Sequence, residues 1–362
     1  MSRPLSVLML PDNRQANPYQ TLLEQSLKKQ GVDVYFPQGY RRGLPLLREI
    51  AFTQQQYDLI HLHWILPYLK GKSRFARGFY AIKFLLDVAL VKLFGVKVIW
   101  TIHNRVNHES AFPEIERWVR RNIARFADRI ILHNQATLEP IAQEYQFPSQ
   151  KAAVILHGHY RDVYKPPIDA SLARKELGLP LDGQIFLNLG LLRPYKGIET
   201  LLDVWIEHRE KFQGHTLLIV GKAREAYAAT LRQKINDSGV DNIVLIPEFV
   251  EDDRIHLFFS AASVVVLPYQ NILNSGSLIL AMSYGLPIIA PRLGSIPEYL
   301  DCASELLYEP SDELGLLYSM KTSLQIDYHQ LTQSVVKACD RLEWVKIGEQ
   351  TAQTYDEVTQ SE

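Results

Sequence analysis

The chain has little cysteine: Cys302 and Cys339 are the only two in 362 residues. Two thiols so placed form neither a disulfide framework nor a metal-ligand cluster, and they fit a reducing compartment. A surplus of either charge is also lacking, with 39 Lys and Arg against 40 Asp and Glu and a net charge of −1. That balance argues against a dedicated nucleic-acid binder. No apolar run approaches the roughly 18 residues of a membrane span. The opening MSRPLSVLML is too short in its apolar run for a secretory signal and reads as a buried first strand. Low-complexity tracts and repeats of solenoid period are missing as well. With 47% hydrophobic and 22% charged residues, the composition is that of an ordinary globular protein, and the length suggests two domains. The expected location is cytoplasmic, soluble or peripheral on the inner face of the plasma membrane.

The neutral total is a cancellation. Residues 1–165 hold 23 Lys and Arg against 13 Asp and Glu, and residues 166–362 hold 16 against 27. A basic half is therefore joined to an acidic one, an asymmetry that speaks to partners rather than to fold.

Short β-branched apolar runs alternate with amphipathic stretches. In the first half strands are predicted at 5–10, 32–37, 59–64, 96–103, 129–134 and 152–158. A helix is predicted over 18–29, with Asn17 as N-cap and Pro18 in its first position. After the polar, proline-containing stretch 161–183 the pattern restarts, with strands predicted at 184–190, 216–221, 242–247, 263–268, 286–291 and 305–310. Alternation of this kind implies an α/β fold of mainly parallel sheets covered on both faces. Two Rossmann-like domains, 1–165 and 166–340, with a hinge near 160–180, account for it economically. Ligands bind outside the carboxyl ends of such strands, so two facing sheets would form one cleft.

The residues with chemical potential lie just after strands. In GLLRPYKG (190–197), Gly190 permits a close turn, while Arg193 and Lys196 direct two cations towards a helix start, an arrangement suited to phosphate. A solvated basic turn is the alternative. In LPYQNILNSGSLILAMSYGLPIIAP (267–291), the segment Asn274, Ser275, Gly276 and Ser277 opens a helix and offers free amides and two hydroxyls to a pyrophosphate. A plain N-cap on Ser275 or Ser277 would also explain it. Gly285 is positioned to stop that helix. Glu298 follows the next strand, as a ligand contact or a first-turn carboxylate.

Histidines form a third group. His61 and His63 share one face of a strand, and His103 ends the next strand, with His108 nearby. No Cys or acidic residue accompanies them at a recognised zinc spacing, so no metal is expected. A fourth feature, residues 70–97, combines seven Lys and Arg with one acid, Asp87, and many Phe, Leu and Val. It has the makeup of an interfacial helix for an anionic membrane surface, or of a helix covering the sheet with a basic outer face.

Taken together, these motifs resemble the GT-B glycosyltransferases of the large group containing family four. GLLRPYKGIETLL resembles the donor-phosphate loop of that group, VVVLPY to GLPIIAPRLGSIPE its signature helix region, IWTIHN its acceptor-domain Thr-x-His motif, and 343–358 the terminal helix that crosses back to the first domain. On that basis residues 341–362 form the returning helix. The group usually carries two glutamates around the signature helix, where this chain has Ile272 and Leu280. The stretch around SGS is instead similar to a β-1,4-mannosyltransferase-like subgroup.

The resemblance implies a hexosyltransferase that moves a sugar from a nucleotide-sugar donor, with GDP-mannose favoured, to a lipid-linked or polysaccharide acceptor without a metal or other cofactor. It implies donor binding by Gly190, Arg193, Lys196, Asn274, Ser275, Gly276, Ser277 and Glu298. His103 becomes a contact to phosphate or donor sugar. Asp12 and His108 become candidate bases, and Asn17 and Tyr19 candidate acceptor-side residues. A UDP-sugar-dependent transferase, a nucleotide-sugar epimerase and a non-catalytic homologue that binds nucleotide sugar or a partner enzyme are the alternatives.

Overall fold

A computed structural model describes residues 3–37, 43–106 and 110–360. The chain divides into two compact units, Met1–Gly158 with Leu342–Glu362, and His159–Arg341. The first unit holds β1 (Leu5–Leu10), β2 (Val32–Tyr35), β3 (Leu59–Leu62), β4 (Lys97–Thr101), β5 (Arg129–Leu132) and β6 (Ala152–Val154). The second holds β7 (Ile185–Leu189), β8 (Thr216–Val220), β9 (Ile243–Ile246), β10 (Val264–Val266), β11 (Ile288–Pro291) and β12 (Leu307–Tyr308). A strand is present in each of the twelve predicted stretches. Most are shorter than predicted at the carboxyl end.

Both sheets are parallel throughout. The first runs β2-β1-β3-β4-β5-β6 and the second β12-β11-β10-β7-β8-β9. Renumbered from β7, the second order is the Rossmann order, whereas the first extends the flavodoxin-like order. Strand order reverses between β1 and β3 in one unit and between β7 and β10 in the other. These two switch points are where ligands enter such sheets.

The first core gathers Val7, Met9, Leu23, Leu27, Leu59, Ile99 and Ile131 with Ile347, Ala352, Tyr355 and Val358 of the helix Trp344–Gln360. That helix packs on the helix Tyr19–Lys29. Gly348 lies against Ser26 where a Cβ would overlap, and the Ser26 hydroxyl donates to the Trp344 carbonyl.

Three sequence expectations need correction. The first helix starts at Tyr19 rather than Pro18, and Pro18 takes the cap position. Asn17 still acts there, because its Oδ1 accepts the Tyr19 N–H at 2.9 Å. The first unit ends at Gly158, not 165. The polar stretch 161–183 is not bare linker: it contains the helix Ala170–Glu176, capped where Asp169 Oδ1 accepts Leu172 N–H at 3.1 Å. Arg174 of that helix is buried and donates to the carbonyls of Ala261, Leu181 and Gly183, which ties the stretch into the second unit.

Candidate active site

At the switch point of the second sheet, β7 ends and the chain turns at Gly190 with φ +148°. A Cβ on Gly190 would stand 2.7 Å from Ser277 Oγ and 2.8 Å from Lys196 Nζ. The donor loop and the signature helix therefore converge on one bare stretch of backbone. Two more glycines shape it. Gly221 (φ +137°) passes so close to the Gly190 carbonyl, and Gly197 (φ +74°) to that of Pro268, that a side chain on either would overlap it.

After β10, Tyr269 is buried and bonds to Ser275 Oγ at 2.6 Å, with Ser277 beside it. Burial pushes its phenol up to about 12, so it remains protonated. Ser275 is the N-cap of the helix Gly276–Ser283, its hydroxyl accepting Leu278 N–H at 3.0 Å. That leaves the amides of Gly276 and Ser277 without a partner among the described residues, at the positive end of the helix. Lys196 lies across from them, its ammonium 5.9 Å from the Tyr269 ring centre. Burial, with Arg193 alongside, pushes that ammonium down to about 8. A cation, two amides and hydroxyls around a bare turn can bind and neutralise a diphosphate.

Other predicted donor residues stand differently. Arg193 leads into the turn Pro194–Lys196, and its guanidinium donates to the Leu192 carbonyl at 3.1 Å. Asn274 lies two positions before the helix and is half-buried. Glu298 is in the first turn of the short helix Ile296–Tyr299 and half-buried, and its carbonyl accepts from Arg341 at 3.0 Å. Gly285, at φ +70°, ends the helix Gly276–Ser283 as expected.

In the first unit the carboxyl ends of β3 to β6 each deliver a histidine: His61 and His63, His103, His133 and His157. All five are buried. Tyr19 sits among them, its ring centre 4.9 Å from His103, 4.8 Å from His157 and 5.6 Å from His133. Trp64 stacks on His103 at 4.5 Å. Burial pushes His133 down to about 4 and His61 and His157 to about 3, with His63 and His103 also well below the ordinary value. All five rings are therefore neutral near pH 7.

Neutrality fixes how three of them bond. The Ile155 carbonyl only accepts, so His133 Nδ1, 2.9 Å away, carries that ring's proton. His133 Nε2 is then bare and accepts from His103 Nδ1 at 3.3 Å. His103 Nε2 is bare in turn and accepts from His63 Nδ1 at 2.9 Å. The relay ends at His63 Nε2, a buried lone pair with no hydrogen-bond partner. His61 bonds separately, to Tyr355 and Thr101 at 2.6 and 2.7 Å. Among the described residues no group of three or more His, Cys, Asp or Glu side chains is disposed to hold a metal ion.

Both ring nitrogens of His103 are thus occupied by neighbouring rings. Asp12 is gripped by Arg14 through two contacts of 3.0 Å, and this guanidinium holds its carboxyl below the usual range, the opposite of what a strong base needs. Asn17 caps Tyr19, and His108 lies outside the described residues. Sequence reasoning singled out neither His133 nor His157. The available signal was a histidine at the end of each strand from β3 to β6.

Known proteins resemble this chain in sequence and in fold. The profile described as glycosyl transferases group 1 matches residues 183–325, and that of glycosyltransferase family 4 matches 16–160. A GDP-mannose:glycolipid 4-beta-D-mannosyltransferase from Xanthomonas campestris pv. campestris is 30% identical over 354 residues, covering 95% of this chain and 89% of that protein. A D-inositol 3-phosphate glycosyltransferase from Corynebacterium efficiens is 23% identical, covering 96% and 80%. Among solved structures, sucrose-phosphate synthase from Thermosynechococcus elongatus superposes with TM-score 0.76 at 19% identity, covering 99% of this chain and 100% of that one. Anabaena HepE in complex with UDP-glucose gives 0.73 at 19%, covering 98% and 100%. The chain thus belongs to the group 1, family 4 glycosyltransferases of the GT-B fold and is a hexosyltransferase that uses a nucleotide-sugar donor.

Proposed function

We propose that the enzyme transfers mannose from GDP-mannose to a glycolipid acceptor, without a metal ion. The observation that carries the donor half is the convergence of Gly190, Lys196 and Ser277 at the second switch point. A leaving diphosphate gains negative charge as the bond from the anomeric carbon to its phosphate oxygen breaks. Lys196 and the amides of Gly276 and Ser277 are preorganised to take that charge, the work that a divalent cation does elsewhere. The preference for GDP-mannose and for glycolipid rests on likeness to the Xanthomonas mannosyltransferase.

A β-linked product from an α-linked donor requires inversion. The acceptor oxygen forms its bond to the anomeric carbon as the nucleoside diphosphate departs, and the hydroxyl proton must leave. Of the first-unit groups discussed, Asp12 is neutralised by Arg14 and His103 is occupied on both sides. His63 Nε2 keeps a bare lone pair, but it is buried and burial holds the ring well below the ordinary imidazole value, so none of the three is a base and the hydroxyl proton passes to solvent water.

The test is release of the matching nucleoside diphosphate (GDP, UDP or ADP) by the purified chain, with GDP-mannose, UDP-glucose and ADP-glucose each supplied with and without a lipid-linked oligosaccharide and EDTA. GDP-mannose should be turned over in an acceptor-dependent, EDTA-insensitive way. Turnover of UDP-glucose alone would overturn the donor assignment, and loss of activity in EDTA the metal-free one.

A further inference from the structure

The helix Arg74–Leu93 carries apolar residues on its outer face. Phe75, Phe79, Ile82, Leu86 and Leu93 are 88, 59, 62, 51 and 81% exposed, and their helical spacing aligns them in one stripe. The opposite face, with Ala81, Phe84, Leu85, Val88 and Val91, is buried in the first unit. A surface helix ordinarily turns polar residues outward, and the basic outer face allowed by the composition is not what forms. A contiguous exposed apolar row of this size marks an interaction surface.

The charges around the stripe indicate what it meets. The only acid of the helix, Asp87, turns inward and accepts Leu46 N–H at 2.9 Å and Leu47 N–H at 2.8 Å, capping the helix Pro45–Ala51. No carboxylate of the helix is left on the outer side. Lys70, Lys72 and Arg74 stand at its start, Arg74 also 3.6 Å from the exposed Glu114 carboxylate, with Lys83 midway and Lys97 beyond its end. No helix among the described residues is long and apolar enough to cross a membrane, and the buried inner face keeps this one from leaving its unit.

We propose that the stripe is a docking surface for an anionic bilayer. The helix lies in the plane of the interface, its apolar row enters the headgroup–acyl boundary, and its cations meet lipid phosphates. A second copy of the chain is the competing occupant. Parallel pairing of the helix would set Lys70, Lys72 and Arg74 against themselves, and antiparallel pairing would set them towards Lys97. Either arrangement opposes like charges, which an anionic bilayer does not. The inference goes beyond the transfer reaction and holds whatever the donor.

Flotation of the full chain with vesicles of phosphatidylglycerol and phosphatidylcholine, against phosphatidylcholine alone, tests it. The chain should float with the anionic vesicles only. Joint Phe75→Ser and Phe79→Ser should lower the partition coefficient at least about tenfold with Tm retained. Because those changes could disturb folding, Phe79→Trp supplies an independent readout: its emission should be quenched by brominated acyl chains beyond the quenching of the unsubstituted chain. Failure to float with either vesicle type overturns the proposal. So does a dimer in size-exclusion chromatography that the double variant converts to monomer.

Discussion

At Lys196, burial and the neighbouring Arg193 bring the ammonium down to about 8, so a modest rise in pH discharges the cation we propose for the donor phosphates. The group is charged below that value and neutral above it. The kcat/KM for donor should therefore fall as pH rises through about 8, since this parameter reports the free enzyme. Lys196→Arg should move that limb beyond the accessible range, and Lys196→Ala should cost about 10²–10³ in kcat/KM at pH 7. Steady-state kinetics over pH 6–10 checks all three. The histidine relay makes a second prediction at this scale. With ¹⁵N-labelled histidine, long-range ¹⁵N–¹H correlation should find His63, His103 and His133 as Nδ1–H tautomers at pH 7. Protonation at His63 Nε2 would contradict the relay, which needs the proton on Nδ1. Changing His133 to Phe, which unties the relay from the Ile155 carbonyl, should scramble the tautomers of the other two.

Strands and turns set where those residues meet. Gly221 faces the Gly190 carbonyl at φ +137°, in space that a methyl group would need. Gly221→Ala should thus destabilise the second unit by about 2–4 kcal/mol, read as a shift in denaturant midpoint. Asp87 holds the first turn of a neighbouring helix, so Asp87→Ala should cost about 1–2 kcal/mol in the first unit. At this scale much was legible from sequence. Runs such as TLLIVG and SVVVLP declare buried parallel strands, and Gly190, Lys196 and Ser277 meet at the switch point of the second sheet. For Arg74–Leu93 the sequence left two readings of the outer face open, because apolar residues occur on both sides of the helix and do not say which side is covered. The occupation of His103 was not legible. It depends on His63 and His133, which lie 40 and 30 residues away in sequence and are brought together only by the sheet.

For the whole molecule, the buried histidines divide the pH response between the units. His61, His133 and His157 are held at about 3, 4 and 3 when folded, below their ordinary value of 6.5. Between those values the unfolded chain binds the extra protons, so stability is full above about pH 6.5 and falls as pH drops. Each such group removes up to about 1.4 kcal/mol per pH unit. The first unit, which contains these three together with His63 and His103, should unfold in acid ahead of the second. Trp205 is the only tryptophan of the second unit. Fluorescence of a Trp205→Phe variant therefore follows the first unit alone, and its transition should precede loss of helical circular dichroism from the remainder. Coincident transitions would contradict this division.

The connectivity of the first unit also bears on how it is made. Ile347, Tyr355 and Val358 complete its core, and Tyr355 bonds to His61, yet all three follow the entire second unit in the chain. On the ribosome, residues 1–158 emerge first and wait through the synthesis of 183 further residues before their closing helix arrives. The histidine cluster and the sheet beneath it spend that interval without Trp344 and Tyr355 against them. The second unit, continuous in the chain, can fold during the same interval. The unit translated first is thus the last to be finished.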